Sequence, residues 1–373
     1  MLHVRIIAYA PDGIEETTLD TDAILAAADP AAALAEAIEP WIRAERRAWI
    51  EIDTDTRSLV EQAIGKVIPL HPIVADVLVQ RDHRPAIDRF PGLVHMILDL
   101  AHARKTLTFE KVDVLAGDTW IIGVGSQPDE IFEPVRQRLR RGDALRSLGT
   151  PFLVHALVEA MCRQDTRILE RLGDRMETLE LALIDDPSPS RLNRIHALKR
   201  DLRGLRRSVV PLMESATTFL QNRRSSGHAS TEDLDMAVRE IHDELASVAD
   251  ILDAYRDAAQ NLAELYAASL SNRLNDILRT LAIISTVFIP LNFIAALFGM
   301  NFTHLPLIEN PLGFWVTMGV MATLASLVIA VAWRQGWLKR PGHRTRSPAI
   351  TRPQRFEERD GERDGERNGA NPA

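Results

Sequence analysis

The fold is decided by residues 281–298, LAIISTVFIPLNFIAALF, where 18 consecutive residues include one strongly polar side chain, that of Asn292. A second apolar run of 22 residues follows at 312–333, LGFWVTMGVMATLASLVIAVAW. A helix needs roughly 20 apolar residues to cross the hydrocarbon core of a bilayer. Because both runs meet that length, the sequence predicts two transmembrane helices joined by a short loop at 299–311.

Basic residues predict the orientation of this helix pair. The segment 299–313 contains no Lys or Arg, whereas Arg334, Lys339, Arg340, Arg344 and Arg346 follow the second run. The positive-inside rule therefore places both termini in the cytoplasm and the loop outside. The first ten residues lack the pattern of a signal peptide. We expect a multi-pass protein of the inner or plasma membrane, with the lipid bilayer as a partner.

Composition excludes several classes of function. The chain has 373 residues and a formal net charge of -8, which disfavours nucleic acid as a partner. Cys162 is the only cysteine, so neither an intramolecular disulfide nor a multi-cysteine metal site is possible. The sequence contains no Walker-type loop, GxSxG or HExxH motif. We therefore expect no enzyme activity and no organic cofactor.

The part before residue 126 mixes strands and helices without a regular alternation, which predicts an α+β cytosolic domain over 1–125. The predicted strands are 4–9, 48–53, 93–101, 105–116 and 118–125, and the predicted helices are 21–46, 57–66 and a helix that begins at Pro72.

Long helices are predicted for the rest of the chain. Region 126–230 contains two antiparallel helices, 152–183 and 191–222. Region 231–298 has no Pro or Gly before Pro290, so it is predicted to be one continuous stalk helix, on the order of 100 Å long, that becomes the first membrane span. The loop at 299–311 and the second span at 312–333 follow. The basic cytoplasmic tail, 334–373, is too polar to form a core and is expected to be disordered at its end.

Polar and apolar side chains alternate along one face of the predicted first span. These residues recur every three or four positions: Asn275, Leu278, Leu281, Ser285, Ile289, Asn292 and Ala296. Two helices cannot enclose a pore, so a pore requires a homo-oligomer in which this face lines the axis. Amide oxygens can bind the water shell of a cation, and apolar rings can close a pore by dewetting. Alternatively, Asn292 makes a hydrogen bond between helices.

Several motifs carry a resemblance to a known family. Gly-Met-Asn at 299–301 follows one span and precedes another, SNRLN at 271–275 and FIPL at 288–291 lead into it, and LHP stands at 70–72. In this arrangement the chain resembles the CorA family of magnesium and cobalt transport proteins over roughly residues 48–340. The resemblance implies a funnel-shaped homopentamer whose stalk helix lines the pore. Gly299, Met300 and Asn301 would form the selectivity filter, with Asn301 as the ring that first receives the hydrated ion.

The resemblance also implies regulation by cytosolic Mg²⁺. Asp76 and Glu240 match the positions that bind the ion between neighbouring subunits, so Mg²⁺ would be both the transported ion and the regulator. Arg334, Lys339 and Arg340 match a basic collar at the inner mouth. The outer loop departs from the family pattern, because Thr303 and Leu307 stand where two glutamates are typical and Glu309 is the one acid left there.

Three functions remain open on the sequence alone. The first is passive, potential-driven influx of hydrated Mg²⁺, with Co²⁺ and Ni²⁺ as further candidate ions. The second is transport of Zn²⁺ or another transition metal, for which His304 in the loop is a candidate ligand, although Met300 is retained here. The third is a membrane-anchored sensor or scaffold, which would need neither the polar face nor the loop motif.

Overall fold

The computed structural model describes residues 2–80, 83–103, 106–125, 129–142, 144–226, 232–300 and 312–335. The chain divides into two compact units. The first unit contains Met1–Leu179 and Ser190–Leu262, and the second contains Glu180–Pro189 and Ala263–Ala373.

A seven-stranded sheet organises the first unit. Its strands are β1 (Leu2–Ala10), β2 (Gly13–Thr18), β3 (Arg47–Thr54), β4 (Ala86–Phe90), β5 (Leu93–Ala103), β6 (Leu107–Ala116) and β7 (Trp120–Gly125). They lie in the order β2-β1-β3-β7-β6-β5-β4, in which β3 and β7 are parallel and the other neighbours are antiparallel. The predicted α+β class is confirmed, whereas the edge strands β2 and β4 were not predicted.

Four short helices follow the early strands. They are α1 (Thr21–Ala26), α2 (Pro30–Ile42), α3 (Arg57–Val67) and α4 (Pro72–Val79). The prediction of one helix over 21–46 is wrong, because a new helix begins at Pro30. The Asp29 carboxylate accepts a hydrogen bond from the Ala32 N–H at 3.0 Å, and Pro30 occupies the first turn, where its missing N–H costs nothing.

Five further helices complete the described chain. They are α5 (Asp129–Arg141), α6 (Thr150–Asp185), α7 (Pro189–Ser226), α8 (Glu232–Phe298) and α9 (Gly313–Arg334), with a short 3-10 helix at Ala144–Arg146. Three predicted helices, 152–183, 191–222 and the continuous helix 231–298, are confirmed to within a few residues. Helix α8 contains 67 residues and passes through Pro290 without a break. Helix α5 was not predicted.

Helices cover both faces of the sheet. Helices α1–α4 share a buried apolar cluster with one face, in which Val4 and Ile50 lie among Leu34 and Ile64. On the other face the Trp49 ring meets Phe132 of α5 edge to face, with ring centroids 6.2 Å apart. Helix α7 contacts β5, where the Ser208 hydroxyl donates to the backbone carbonyl of Asp99 at 2.6 Å.

A buried ion pair fixes α3 against the sheet. The Arg57 guanidinium pairs with the Asp113 carboxylate and donates to the Lys111 carbonyl at 2.8 Å. His95 Nε2 lies 3.0 Å from the other carboxylate oxygen of Asp113. All three side chains are buried, and a buried charge is tolerated only when it is paired in this way.

Helices α6 and α8 approach each other closely where small residues allow it. A Cβ atom added at Gly173 of α6 would lie 2.7 Å from the Tyr255 hydroxyl of α8, closer than van der Waals contact permits. Glycine at this position therefore lets the α8 aromatic ring lie directly against the α6 backbone.

Candidate functional site

The predicted pore face lies on the exposed part of α8. Asn275, Leu281, Ile289, Asn292 and Ala296 are exposed, and Ile289 retains 67% of its accessible surface. Ser285 is half-buried. The face combines two amide side chains and one hydroxyl with apolar residues, and apart from Ser285 its residues are exposed.

The opposite side of the same segment is less exposed. Ile283, Val287, Leu291, Ile294 and Phe298 are half-buried and recur every three or four residues. At about 100° of rotation per residue, this face points away from the polar one. Helix α9 also has one covered face, formed by Gly313, Thr317, Met321, Leu324, Val328 and Ala332. One side of each span is thus covered within the chain, while the polar side of α8 stays open to a neighbour or to water.

The end of α8 positions the loop motif. The Gly299 N–H donates to the carbonyls of Ala295 and Ala296 at 3.0 and 3.1 Å, which closes the last turn, and Met300 is exposed beyond it. A Cβ atom at Gly299 would lie 3.3 Å from the Ala295 carbonyl oxygen, so a larger residue would crowd this end. Asn301, Glu309, Lys339 and Arg340 lie outside the described residues. Arg334, the remaining residue of the predicted basic collar, is exposed at the end of α9.

The two predicted sensing carboxylates are both exposed on the first unit. Asp76 lies on α4, where its carboxylate accepts a hydrogen bond from the Gln80 side chain at 2.6 Å. Glu240 lies near the start of α8. Within the described part of the chain, no group of three or more His, Cys, Asp or Glu side chains is arranged to hold a metal ion.

A histidine beside Glu240 was not predicted from the sequence. His155 of α6 lies with Nε2 3.4 Å from a carboxylate oxygen of Glu244, one turn after Glu240 on α8. The neighbouring Glu244 raises the pKa of His155, and the more distant Glu159 and Glu240 add to the effect against the opposing effect of burial. The face of α8 that carries Glu240 therefore has a histidine as a neighbour, and that histidine is paired with Glu244.

Helix α6, which carries His155, also contains a buried carboxyl group. Asp165 of α6 is fully buried, and neither of its oxygens has a hydrogen-bond partner among the described residues. Burial raises the pKa of Asp165 from its usual 3.8 to about 8, so the group is mostly protonated at neutral pH. Burial also raises the pKa of the Cys162 thiol, one turn earlier. The sequence signal was weak, because an Asp within a largely apolar helix is ordinarily placed on the solvent side.

Both C-terminal helices are long and apolar enough to span a membrane, and no residue in the most apolar 18-residue window of either helix is fully buried. Together with the α+β unit and the long shared helix, they define a membrane protein with two spans and a large extramembrane domain. The chain belongs to the CorA-like Mg²⁺ transporter protein family, whose sequence pattern matches residues 45–334.

Individual relatives agree with this assignment. The cobalt/magnesium transport protein CorA of Thermotoga maritima is 28% identical over 308 residues, which is 81% of this chain and 87% of that protein. The zinc transport protein ZntB of Pectobacterium atrosepticum is 25% identical over 306 residues, covering 80% of this chain and 88% of that protein. The complete structure of the CorA magnesium transporter from Methanocaldococcus jannaschii has the same fold, with a TM-score of 0.69 at 17% identity, covering 90% of this chain and 98% of that one. The protein is therefore a divalent-metal transporter of the membrane.

Asp165 should make the stability of the protein depend on pH. Its pKa is higher in the folded than in the unfolded chain, so folding binds a proton between pH 3.8 and about 8. The contribution of Asp165 to stability is therefore greatest at low pH and is lost as the pH rises through this range. We expect Asp165→Asn to remove this component, so the difference in thermal unfolding midpoint between variant and wild type should grow from pH 5 to pH 8. Parallel pH profiles for the two purified proteins would contradict the assignment.

Proposed function

We propose that the protein is a homopentameric channel for passive influx of hydrated Mg²⁺, with Co²⁺ and Ni²⁺ as further permeant ions. Both termini lie in the cytoplasm, and cytosolic Mg²⁺ closes the channel at subunit interfaces. The observation that carries the proposal is the amide-bearing face of α8, which lies opposite the covered side of that helix.

The geometry of α8 suits a pore-lining helix. Asn292 is exposed within the apolar segment 281–298, and Asn275 is exposed six residues before that segment begins. An amide facing lipid without a partner would be costly, so these side chains face water or a neighbouring helix. Copies of α8 around an axis would stack rings of amide oxygens between apolar rings such as that of Ile289. Such apolar rings can close the path by dewetting.

The strong hydration of Mg²⁺ suits a pore whose ligands are neutral amide oxygens. Mg²⁺ gives up its water reluctantly and is commonly bound through its hydration shell. Neutral amide oxygens of Asn301 and Asn292 would hold the hydrated ion loosely enough to release it, whereas a ring of carboxylates would bind it more strongly. The inside-negative potential supplies about 2.3 kcal/mol per charge per 100 mV for entry.

The positions of two acidic residues support the proposed gating. Asp76 and Glu240 are exposed and lack a complete set of ligands within the described part of one chain. Mg²⁺ bound between the two carboxylates of neighbouring subunits would favour the conformation in which they approach each other. Because Glu240 lies on α8, a movement of Glu240 on binding Mg²⁺ would be transmitted along the same helix that lines the pore.

Transport of Zn²⁺ is the second candidate. The similarity to the zinc transport protein ZntB extends over nearly the same share of this chain as the similarity to CorA of Thermotoga maritima. His304 in the outer loop offers a nitrogen ligand that suits Zn²⁺ better than Mg²⁺. If Zn²⁺ is the transported ion, purified protein in liposomes should pass Zn²⁺ while excluding Mg²⁺.

Asn301→Ala should abolish Mg²⁺ uptake, because it removes the amide ring that receives the hydrated ion. The measurement is rescue of a magnesium-requiring host without its own importer, with membrane insertion checked by immunoblot. Thr303→Ala, two residues further along the same loop, is the matched control and should rescue like the wild type. Full rescue by Asn301→Ala would remove the selectivity role.

Glu240→Gln and Asp76→Asn should each weaken closure by cytosolic Mg²⁺. Losing one carboxylate ligand should raise the half-inhibiting Mg²⁺ concentration at least about tenfold, since even indirect contacts to a bound metal affect its affinity by that much. The measurement is Mg²⁺ flux into liposomes loaded with increasing internal Mg²⁺. Asp233→Asn, at an exposed acid in the first turn of α8, serves as the control. Equal thresholds for Glu240→Gln and Asp233→Asn would exclude Glu240 as a sensor.

A further inference from the structure

The turn between α6 and α7 is bonded to the helix that enters the membrane. Arg273 Nη1 of α8 donates to Asp186 Oδ1 at 2.7 Å, although the two residues are 87 positions apart in the chain. Both belong to the second compact unit. The Asp186 side chain thus reaches α8 from the end of a different helix.

Arg273 lies close to the start of the predicted membrane span. Arg273 lies eight residues before Leu281, about 12 Å along the helix axis. Leu274, Ile277 and Leu278, which follow it, are already exposed apolar residues. The ion pair therefore holds α8 just below the start of the predicted span.

The turn joins α6 and α7 into a helical hairpin, and this hairpin also contacts α8 within the first unit. Helices α6 and α7 pass from the second unit into the first, where His155 of α6 pairs with Glu244 and Arg206 of α7 pairs with Asp253, both on α8. The hairpin is thus attached to α8 beside Glu240 and again at Arg273. A displacement of α8 near Glu240 can therefore be transmitted toward the pore in two ways. One is along the α8 backbone, and the other is through the hairpin and its ion pair with Arg273.

We propose that Asp186 and Arg273 are positioning residues that couple the cytosolic unit to the pore helix. This proposal rests on the channel function above and adds the residues that transmit closure. The pair is half-exposed, with 57% and 50% of the two side-chain surfaces accessible, so its contribution is that of a moderately screened ion pair. It adjusts the gating equilibrium and does not hold the fold together.

The first experiment compares closure by internal Mg²⁺ in single and double variants reconstituted in liposomes. Asp186→Asn and Arg273→Gln should each raise the half-inhibiting Mg²⁺ concentration about two- to fivefold, as expected for loss of an exposed ion pair. The double variant should show no further shift, because each single change already breaks the pair. Arg273→Lys should keep the wild-type threshold, since it keeps the charge.

Asp185→Asn is the matched control. Asp185 is exposed next to Asp186, and its side chain has no hydrogen bond or ion pair within the described ranges. It should behave like the wild type. The coupling role is wrong if Asp186→Asn has the same half-inhibiting Mg²⁺ concentration as Asp185→Asn. It is also wrong if the shift in the double variant equals the product of the two single shifts.

A second measurement does not depend on transport. Cysteines at positions 186 and 273 should be joined within one chain by a short bismaleimide in membranes, where the buried Cys162 gives little background. Failure to form this cross-link would exclude the contact. A wild-type protein that carries no divalent ion, despite the cross-link, would remove the proposed channel and with it the coupling role.

Discussion

The structure depends on the continuity of one helix. In the hydrocarbon core each backbone N–H and C=O must be bonded within the protein, and an uninterrupted helix satisfies this for a single segment. Helix α8 is uninterrupted from Glu232 to Phe298, so the acidic residues near its start and the polar face of the span lie on one element. Hydrogen bonding along the helix makes it stiff, and in the proposed channel this stiffness would carry the effect of an ion bound near Glu240 to the pore.

The two faces of the first span differ in exposure and in polarity. Ile283, Val287 and Ile294 lie on the side that the chain partly covers, whereas Asn292 and Ile289 remain exposed. An apolar residue exposed in one chain can face lipid without cost, but an exposed amide cannot. Asn292 therefore needs a partner, which is either water along the proposed ion path or a group on a neighbouring helix.

Much of this architecture could be predicted from the sequence. The apolar runs, the absence of Gly and Pro over 231–289 and the α+β composition each follow from local patterns. The long helix, both C-terminal helices and the family were therefore predicted correctly. The helix predicted over 21–46 failed at Asp29-Pro30, where a cap and a proline start a new helix. Contacts between distant segments, such as His155 with Glu244 and Asp186 with Arg273, depend on packing that no local pattern reveals. The predicted pore, sensor and loop residues remain predictions.

Cysteine accessibility along α8 would show whether the polar face of this helix lines a path filled with water. Single cysteines at Ser285, Ile289, Asn292 and Ala296, and at Ile283, Val287 and Ile294 on the covered side, would be exposed to a membrane-impermeant thiol reagent in intact vesicles. Cys162 is buried and should stay silent. We predict that the first set reacts, that the second does not, and that Mg²⁺ slows the reaction. Reaction on the covered side, or on neither side, would contradict a water-filled path along this face.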